Sequence, residues 1–189
     1  MKIDLIAGAR PNFIKISPII NSIKKKILSG YEIEFRLIHT GQHYDKTMSG
    51  SFFNELNIPD PYINFNAGGG SQSEQTGKIM TSYEKLLLKQ SSDFCIVVGD
   101  VTSTMACSIV AQKMNVKVVH VEAGIRSGDW TMPEEINRLV TDSITNYFFT
   151  TTESAGENLI KSGINKANIF WVGNTMIDTL IKHKKNFVK

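Results

Sequence analysis

Three carboxylates stand at points of the sequence where a side chain could move a proton on a bound ligand. Asp100 closes one apolar run, Glu122 closes the next, and Glu134 opens a helix pattern directly after Pro133. A carboxylate acts as general acid or general base according to the protonation state that its surroundings impose. Arg138 follows about one helical turn later and could hold Glu134 or the adjacent Glu135 in place. We therefore predict an acid–base site.

Basic side chains near the start of the chain could bind the anionic part of such a ligand. Arg10 follows the turn at Gly8 and opens a helix pattern, where free backbone N–H groups favour an anion. Its guanidinium could bind a phosphate through two parallel hydrogen bonds. Lys15 lies about one and a half turns further along. The alternative is that Gly8 only makes the turn and both cations point to solvent, because the full glycine fingerprint of a dinucleotide-binding loop is missing.

Each acid also has a structural interpretation. Asp100 could be the N-cap of the helix that follows it, and Glu134 and Glu135 could be first-turn acids stabilised by the helix dipole. Glu122 is harder to explain in this way, because Glu is a poor cap and the small residues after it leave room for a ligand. His120 lies inside a strand pattern, so we expect a hydrogen-bonded core histidine. No cluster has the spacing of metal ligands, and no metal is expected.

The order of apolar and amphipathic segments predicts how these side chains are brought together. Short apolar runs alternate with longer runs of helical period, which is typical of an α/β protein: a Rossmann-like parallel sheet with helices on both faces. Ligands bind such sheets at the carboxyl ends of the strands. Predicted strands are 3–7, 33–40, 63–65, 94–99, 116–121, 147–151 and 169–172; predicted helices begin at 11, 48, 73, 102, 133, 154 and 174, the last ending at 183.

The bulk composition excludes several classes of protein. The 189 residues suffice for one sizeable domain, and a net charge of +3 is too small to indicate a nucleic-acid partner. The two cysteines lie in apolar patterns, which favours a reducing, cytoplasmic location. No apolar run approaches the roughly 18 residues of a membrane span, and Met1 leads directly into a strand pattern. We expect neither a signal peptide nor a membrane anchor.

Six motifs, read together and in order, resemble one family. The resemblance runs from Met1 to about Ile181 and is to the non-hydrolysing UDP-N-acetylglucosamine 2-epimerases. The motifs are GARP at 8–11, TGQH at 40–43, VGD at 98–100, HVEAGIR at 120–126, PEEINR at 133–138 and VGNTMID at 172–178.

The resemblance implies the first half of a glycosyltransferase-B-type two-domain fold. Residues 1–183 would be the N-terminal Rossmann-like domain and 184–189 a basic tail, while a C-terminal UDP-binding domain with a catalytic histidine would lie outside this chain. The implied reaction inverts C2 of UDP-N-acetylglucosamine to give UDP-N-acetylmannosamine, by elimination and re-addition of UDP and without a cofactor. We expect little or no epimerase activity from the 189 residues alone, and the resemblance also implies a homodimer.

The same resemblance assigns roles to individual residues. The implied catalytic carboxylates are the three acids already identified from position. The basic residues of the family match cations that could bind the substrate, with the first of them near the phosphates, and the TGQH loop is placed with the substrate-binding residues. The implied catalytic set is Asp100, Glu122 and Glu134; the implied substrate-binding set is Arg10, Lys15, Arg138, Gln42 and His43.

Other functions stay open at this point. Within the family, the substrate could be a related sugar nucleotide such as a UDP-diacetamido-uronate, or the enzyme could be a hydrolysing member that releases free N-acetylmannosamine. A glycosyltransferase acceptor domain shares the fold, and a shared fold does not imply a shared function. A transferase would not need three acids, however. A binding module without activity is the third alternative.

Overall fold

One parallel sheet forms the centre of the computed structural model, which describes residues 1–41 and 50–187. Within these ranges the sheet has seven strands in the order β3-β2-β1-β4-β5-β6-β7. The strands are β1 Lys2–Ala7, β2 Glu34–His39, β3 Ile63–Asn64, β4 Phe94–Val98, β5 Lys117–Val121, β6 Tyr147–Thr150 and β7 Ile169–Trp171. The helices are α1 Arg10–Leu28, α2 Gly50–Leu56, α3 Gln72–Lys89, α4 Thr102–Lys113, α5 Pro133–Ile144, α6 Glu153–Lys161 and α7 Thr175–Phe187.

The helices cover both faces of the sheet, as predicted. Side chains of α1 and α2, among them Phe13 and Phe53, form one core with alternate residues of β1, β2, β4 and β5. Side chains of α3 and α4, among them Tyr83 and Cys107, form a second core on the opposite face. The strands are buried on both sides, which explains why they read in the sequence as continuous apolar runs.

The strand order reverses between β1 and β4, and this reversal determines where a ligand can bind. The chain runs from β1 outward to β2 and β3, and then returns to β4 on the other side of β1. The loop after β1 leads to α1 on one face and the loop after β4 leads to α4 on the other. In sheets of this kind the ligand crevice lies between two such loops, at the carboxyl edge. Residues 8–10 and 99–101 border this crevice.

Several predicted helix boundaries differ from the observed ones, and two of these differences have a local cause. The third helix begins before Ser73, because Ser71 is its N-cap and exchanges hydrogen bonds with Glu74 in a capping box. The last helix continues past His183 to Phe187, because lysine-rich sequence is compatible with an exposed helix. The division into a domain at 1–183 and a tail at 184–189 stays a prediction. Within the described part of the chain, no helix combines the length and the apolar character needed to cross a membrane.

Candidate active site

The loops after β4 and β5 carry Asp100 and Glu122 to the same edge of the sheet. The two strands are parallel neighbours, with Val98 opposite Val121. The N–H of Gly99 then donates to the carbonyl of Val121 at 3.0 Å. The two acids are 22 positions apart in sequence, yet each directly follows this last paired segment. The predicted convergence of these two carboxylates is therefore what the structure shows.

Glu122 is held against a lysine from the first helix. The Nζ atom of Lys15 lies 2.5 Å from Oε2 of Glu122, and the two side chains are only 15% and 9% exposed. The interpretation that Lys15 points to solvent is therefore wrong. Glu122 adopts a φ of +69°, an uncommon value for a residue other than glycine. Backbone strain of this kind is concentrated at functional sites, where surrounding contacts maintain it.

Gly99 packs directly against this ion pair, and its lack of a side chain leaves room for the pair. Its φ is +70°, which favours glycine, and a Cβ atom there would lie 3.4 Å from both Oε2 of Glu122 and Nζ of Lys15. The turn after β4 thus packs directly on the pair that β5 and α1 contribute.

Asp100 is paired with Arg138, and it does not cap a helix. The Nε and Nη2 atoms of Arg138 donate to Oδ2 of Asp100 at 3.0 and 2.5 Å. The N-cap of α4 is Val101, and no side chain caps that helix. Asn137 adds a bond from its side-chain amide to the backbone carbonyl of Asp100 at 2.8 Å. The start of α5 and the turn after β4 are therefore one bonded unit.

Glu135 and Glu134 are adjacent in sequence but have different environments. Glu135 is buried and accepts hydrogen bonds from the N–H groups of Ser127 and Gly128 and from Nη1 of Arg138 at 3.0, 3.1 and 2.8 Å. Burial opposes its ionisation, but these bonds outweigh burial and lower the pKa of Glu135 to about 2. Its bonds give it a structural role, because they clamp the loop before α5. As predicted, Arg138 holds one of these acids in place, and that acid is Glu135.

Glu134 remains available for chemistry. It is partly exposed in the first turn of α5. Among the described residues, its carboxylate makes no hydrogen bond or ion pair. It shares a helix face with Arg138 four residues later, but that guanidinium is engaged by Asp100 and Glu135.

The turn after β1 is only partly open to an anion. The side-chain oxygen of Asn12 accepts from the N–H groups of Gly8 and Ala9 at 3.1 and 2.9 Å. The prediction that these donors are free to bind an anion is therefore wrong. Gly8 is needed for packing, because a Cβ atom there would lie 2.1 Å from Oγ of Ser103. Arg10 is exposed in the first turn of α1, close to the crevice. Gln42 and His43 lie outside the described residues.

A buried histidine–aspartate pair lies beneath the two acid-bearing turns. His120 is a hydrogen-bonded core residue, as predicted: Nε2 lies 2.8 Å from the carbonyl of Gly99, and Nδ1 lies 2.7 Å from Oδ1 of Asp142 on α5. Oδ2 of Asp142 accepts from the N–H of Gly124 at 3.1 Å and pairs with Arg126 at 2.6 Å. Sequence reasoning missed Asp142, since nothing local marks a buried acid in the middle of a helix.

A family model described as UDP-N-acetylglucosamine 2-epimerase matches residues 25–189. The chain belongs to the UDP-N-acetylglucosamine 2-epimerase family. The expected resemblance is thereby confirmed.

Members of this epimerase family with assigned activities are similar to nearly the whole chain. The UDP-N-acetylglucosamine 2-epimerase of Methanocaldococcus jannaschii is 46% identical over 98% of this chain and 49% of its own length. The UDP-2,3-diacetamido-2,3-dideoxy-D-glucuronate 2-epimerase of Pseudomonas aeruginosa is 39% identical over 96% of this chain and 51% of its own length. The chain thus spans about half the length of the curated relatives it matches.

Solved structures of the epimerase family confirm the fold class. The M. jannaschii enzyme in complex with UDP-GlcNAc and UDP superposes with a TM-score of 0.92 at 46% identity, over 98% of this chain and 50% of that one. A galactosyltransferase of the lipopolysaccharide outer core, WaaB, superposes with a TM-score of 0.66 at 17% identity, over 92% of this chain and 46% of that one. The second match shows the fold alone. The Rossmann-like sheet described above is therefore half of a glycosyltransferase-B-type architecture.

Proposed function

We propose that this chain supplies the acid–base half of a non-hydrolysing UDP-N-acetylglucosamine 2-epimerase. One observation carries the proposal beyond family membership. Asp100 and Glu122 leave adjacent strands at the carboxyl edge of the sheet, beside the crevice where the strand order reverses, and each is paired with a cation. Acids and cations at such an edge suit proton transfer on an anionic substrate.

The chemistry requires these groups because the C2 proton of the sugar is not activated by an adjacent carbonyl. In the proposed elimination, a carboxylate takes this proton, a C1–C2 double bond forms, and UDP leaves with the electron pair of the C1–O bond. UDP then adds back to C1 while C2 receives a proton on its opposite face. Cations that face the departing diphosphate stabilise the charge that develops on it.

The contacts of the described residues support different roles for the three acids. Glu134 has no partner among the described residues and is free to accept or deliver a proton. Glu122 and Asp100 are each bound by a cation. The proposal keeps Lys15 and Arg138 as substrate-binding residues that also hold these two carboxylates. Arg10 can reach the phosphates from the start of α1. The proposal retains Gln42 and His43 as substrate-binding residues.

The proposal includes the organisation of the active protein. Residues 1–183 are its N-terminal domain and 184–189 a basic tail, and a second, UDP-binding domain completes the cleft. The 189 residues alone then have little or no activity. The proposal also keeps a homodimer, the absence of a cofactor and a cytoplasmic location. The last is supported by Cys95 and Cys107, which are both buried and unpaired.

The decisive experiment supplies the second half from a relative. Residues 1–185 of this chain would be joined to the second half of the M. jannaschii epimerase, and interconversion of UDP-N-acetylglucosamine and UDP-N-acetylmannosamine followed by NMR in D2O. We expect interconversion with deuterium entering at C2, and no turnover by the 189 residues alone. Asp100→Asn, Glu122→Gln and Glu134→Gln should each abolish it. The exposed Glu157→Gln on α6 is the matched control. A chimera whose rate is unchanged by the three site substitutions would refute the proposal.

A second candidate substrate is a UDP-diacetamido-glucuronate. It is favoured by the 39% identity to the P. aeruginosa enzyme, whose name specifies that sugar. Offering both sugar nucleotides to the chimera and comparing kcat/KM distinguishes them. Release of free N-acetylmannosamine in the same assay would indicate a hydrolysing enzyme instead.

A further inference from the structure

The ring of His120 is placed between two groups that can only accept hydrogen bonds. The carbonyl of Gly99 has no proton to give, and it lies 2.8 Å from Nε2. On the other side, Oδ1 of Asp142 lies 2.7 Å from Nδ1. A neutral imidazole has one N–H and one lone pair, so it could satisfy only one of these two acceptors. Both contacts are hydrogen bonds only if both ring nitrogens carry a proton.

Asp142 is not the source of the missing proton. Its second oxygen accepts from the N–H of Gly124 and pairs with Arg126, so three donors converge on one carboxylate. Burial opposes ionisation of Asp142, but the bonds and charges of His120 and Arg126 outweigh it and lower the pKa of Asp142. The carboxylate is therefore ionised and acts as an acceptor towards Nδ1.

Among the described residues, Asp142 is the acid that faces the ring. His120 is 1% exposed, and the charged groups that face the pair are Asp142 itself on α5 and Arg126 in the loop after β5. On the same face of the sheet α4 contributes Cys107, and burial, followed by the influence of Cys95 and Asp4, raises the pKa of that thiol so that it stays neutral. The pair therefore has a single carboxylate for two cations.

We infer that His120 is a positioning residue whose ring carries a proton on both nitrogens and uses them to fix the Gly99 peptide that carries Asp100. The other backbone bonds at Gly99 and Asp100 include the Gly99 N–H donating to the carbonyl of Val121 and the Asn137 amide donating to the carbonyl of Asp100. Neither of them constrains the Gly99 carbonyl. Because Gly99 is in the left-handed region and lacks a side chain, its peptide would otherwise rotate easily.

The bond from His120 to the Gly99 carbonyl contributes to the position of both acids. Rotation of the Gly99 peptide would move Asp100 away from Arg138, and it would also move Gly99 relative to the Lys15–Glu122 pair on which it packs. Loss of the proton from Nε2 would leave a lone pair facing a carbonyl oxygen. The geometry of the candidate site is thus linked to the protonation of a ring that does not itself contact the crevice. The consequence for catalysis rests on the proposed function, whereas the protonation state of the ring does not.

The test uses NMR on the isotopically labelled 189-residue chain. At pH 7 we expect both ring nitrogens of His120 to have chemical shifts of protonated nitrogen. His39 is the internal control, since burial lowers the pKa of its ring and the ring should be neutral at this pH. In His120→Gln at the same pH, the carbonyl carbon of Gly99 and the amide nitrogen of Asp100 should shift. The amides of Gly8 and Ala9 should not follow.

Two variants keep the inference open to refutation. If His120→Gln does not fold, Asp142→Asn leaves the ring in place, removes the carboxylate beside Nδ1, and should move the same signals of Gly99 and Asp100. A neutral ring in the unmodified chain overturns the inference, and so does a doubly protonated ring whose replacement leaves Gly99 and Asp100 unmoved. In the active chimera, His120→Gln should lower kcat about a hundredfold with little change in KM. An inactive chimera would count against the proposed function and leave the NMR result unaffected.

Discussion

Two charged clusters, one within β1 and β2 and the other at the carboxyl edge of the sheet, differ in how completely their charges are satisfied. In the first cluster, Asp4 and Arg36 lie side by side on neighbouring strands with exposures of 0% and 7%, joined by hydrogen bonds of 2.8 and 2.9 Å. Tyr83 donates a third bond to Asp4, and Gln90 and Ser92 accept from the guanidinium. Every strong donor and acceptor has a partner.

The carboxyl edge is built from the same residue types with fewer partners. Glu134 has none among the described residues, and the side chain of Asp100 is 33% exposed although Arg138 binds it. The Lys15–Glu122 pair closes on itself but faces the crevice edge. A fully satisfied network contributes stability and a unique structure, whereas charges left accessible at the strand ends can bind and react. The comparison separates a structural cluster from a chemical one.

The largest loss of stability is expected when the network around Asp4 and Arg36 is broken. Arg36→Met leaves the Asp4 carboxylate buried without its cation and should lower the free energy of unfolding by about 3–5 kcal/mol. Urea denaturation at pH 7 measures it. The control is Lys2→Met, since Lys2 and Glu34 form an exposed pair at 3.9 Å and should lose no more than about 1 kcal/mol. Equal losses in both variants would contradict the comparison.

The next effect depends on pH and comes from Glu135. Its folded-state pKa of about 2 lies below the ordinary glutamate value of 4.5, so the stabilisation is complete above about pH 5 and is lost as the pH falls towards 2. Glu135→Gln should therefore cost about 3 kcal/mol at pH 7, and the difference from the unmodified chain should shrink as acid is added. Urea titrations at a series of pH values test this. A pH-independent difference would show that the charge of Glu135 is not what matters.

A smaller loss of stability is expected from Lys15→Met. It leaves the partly buried Glu122 carboxylate without its cation and should cost about 1–3 kcal/mol. Adding Glu122→Gln to this variant removes the unpaired charge and should recover part of the loss, which a double-mutant cycle measures. No recovery would mean that the lysine stabilises the chain through its packing alone.

The smallest effect on stability should accompany a complete loss of function. Glu134→Gln removes no contact of the described residues and should change the free energy of unfolding by less than about 0.5 kcal/mol. In the chimera it should abolish turnover. Unfolding measured by urea and turnover measured by NMR on the same preparation would separate the two effects. A large loss of stability would place Glu134 with the structural cluster instead.

Some features of the site followed from sequence because they depend on local pattern. The strands were predictable since apolar runs such as 94–98 must be covered on both faces, and the carboxyl ends of parallel strands share an edge. Positions such as Asp100 and Glu122 follow from where those runs stop. The boundaries were less predictable: the start of α3 depends on the capping pair Ser71 and Glu74, whereas the predicted start was residue 73.

The sequence by itself determined the strand–helix order, the edge at which the acids emerge and the family to which their motifs belong. Only the tertiary structure decided the partners: Arg138 for Asp100, Lys15 for Glu122, and Asp142 for His120. The physical reason lies in α5, which buries a polar face that includes Glu135 and Asp142 while Ile136 is 45% exposed. Hydrophobic periodicity predicts which face of a helix packs on a core, but these polar contacts depend on where the loops after β4 and β5 return in space, and no local pattern encodes that.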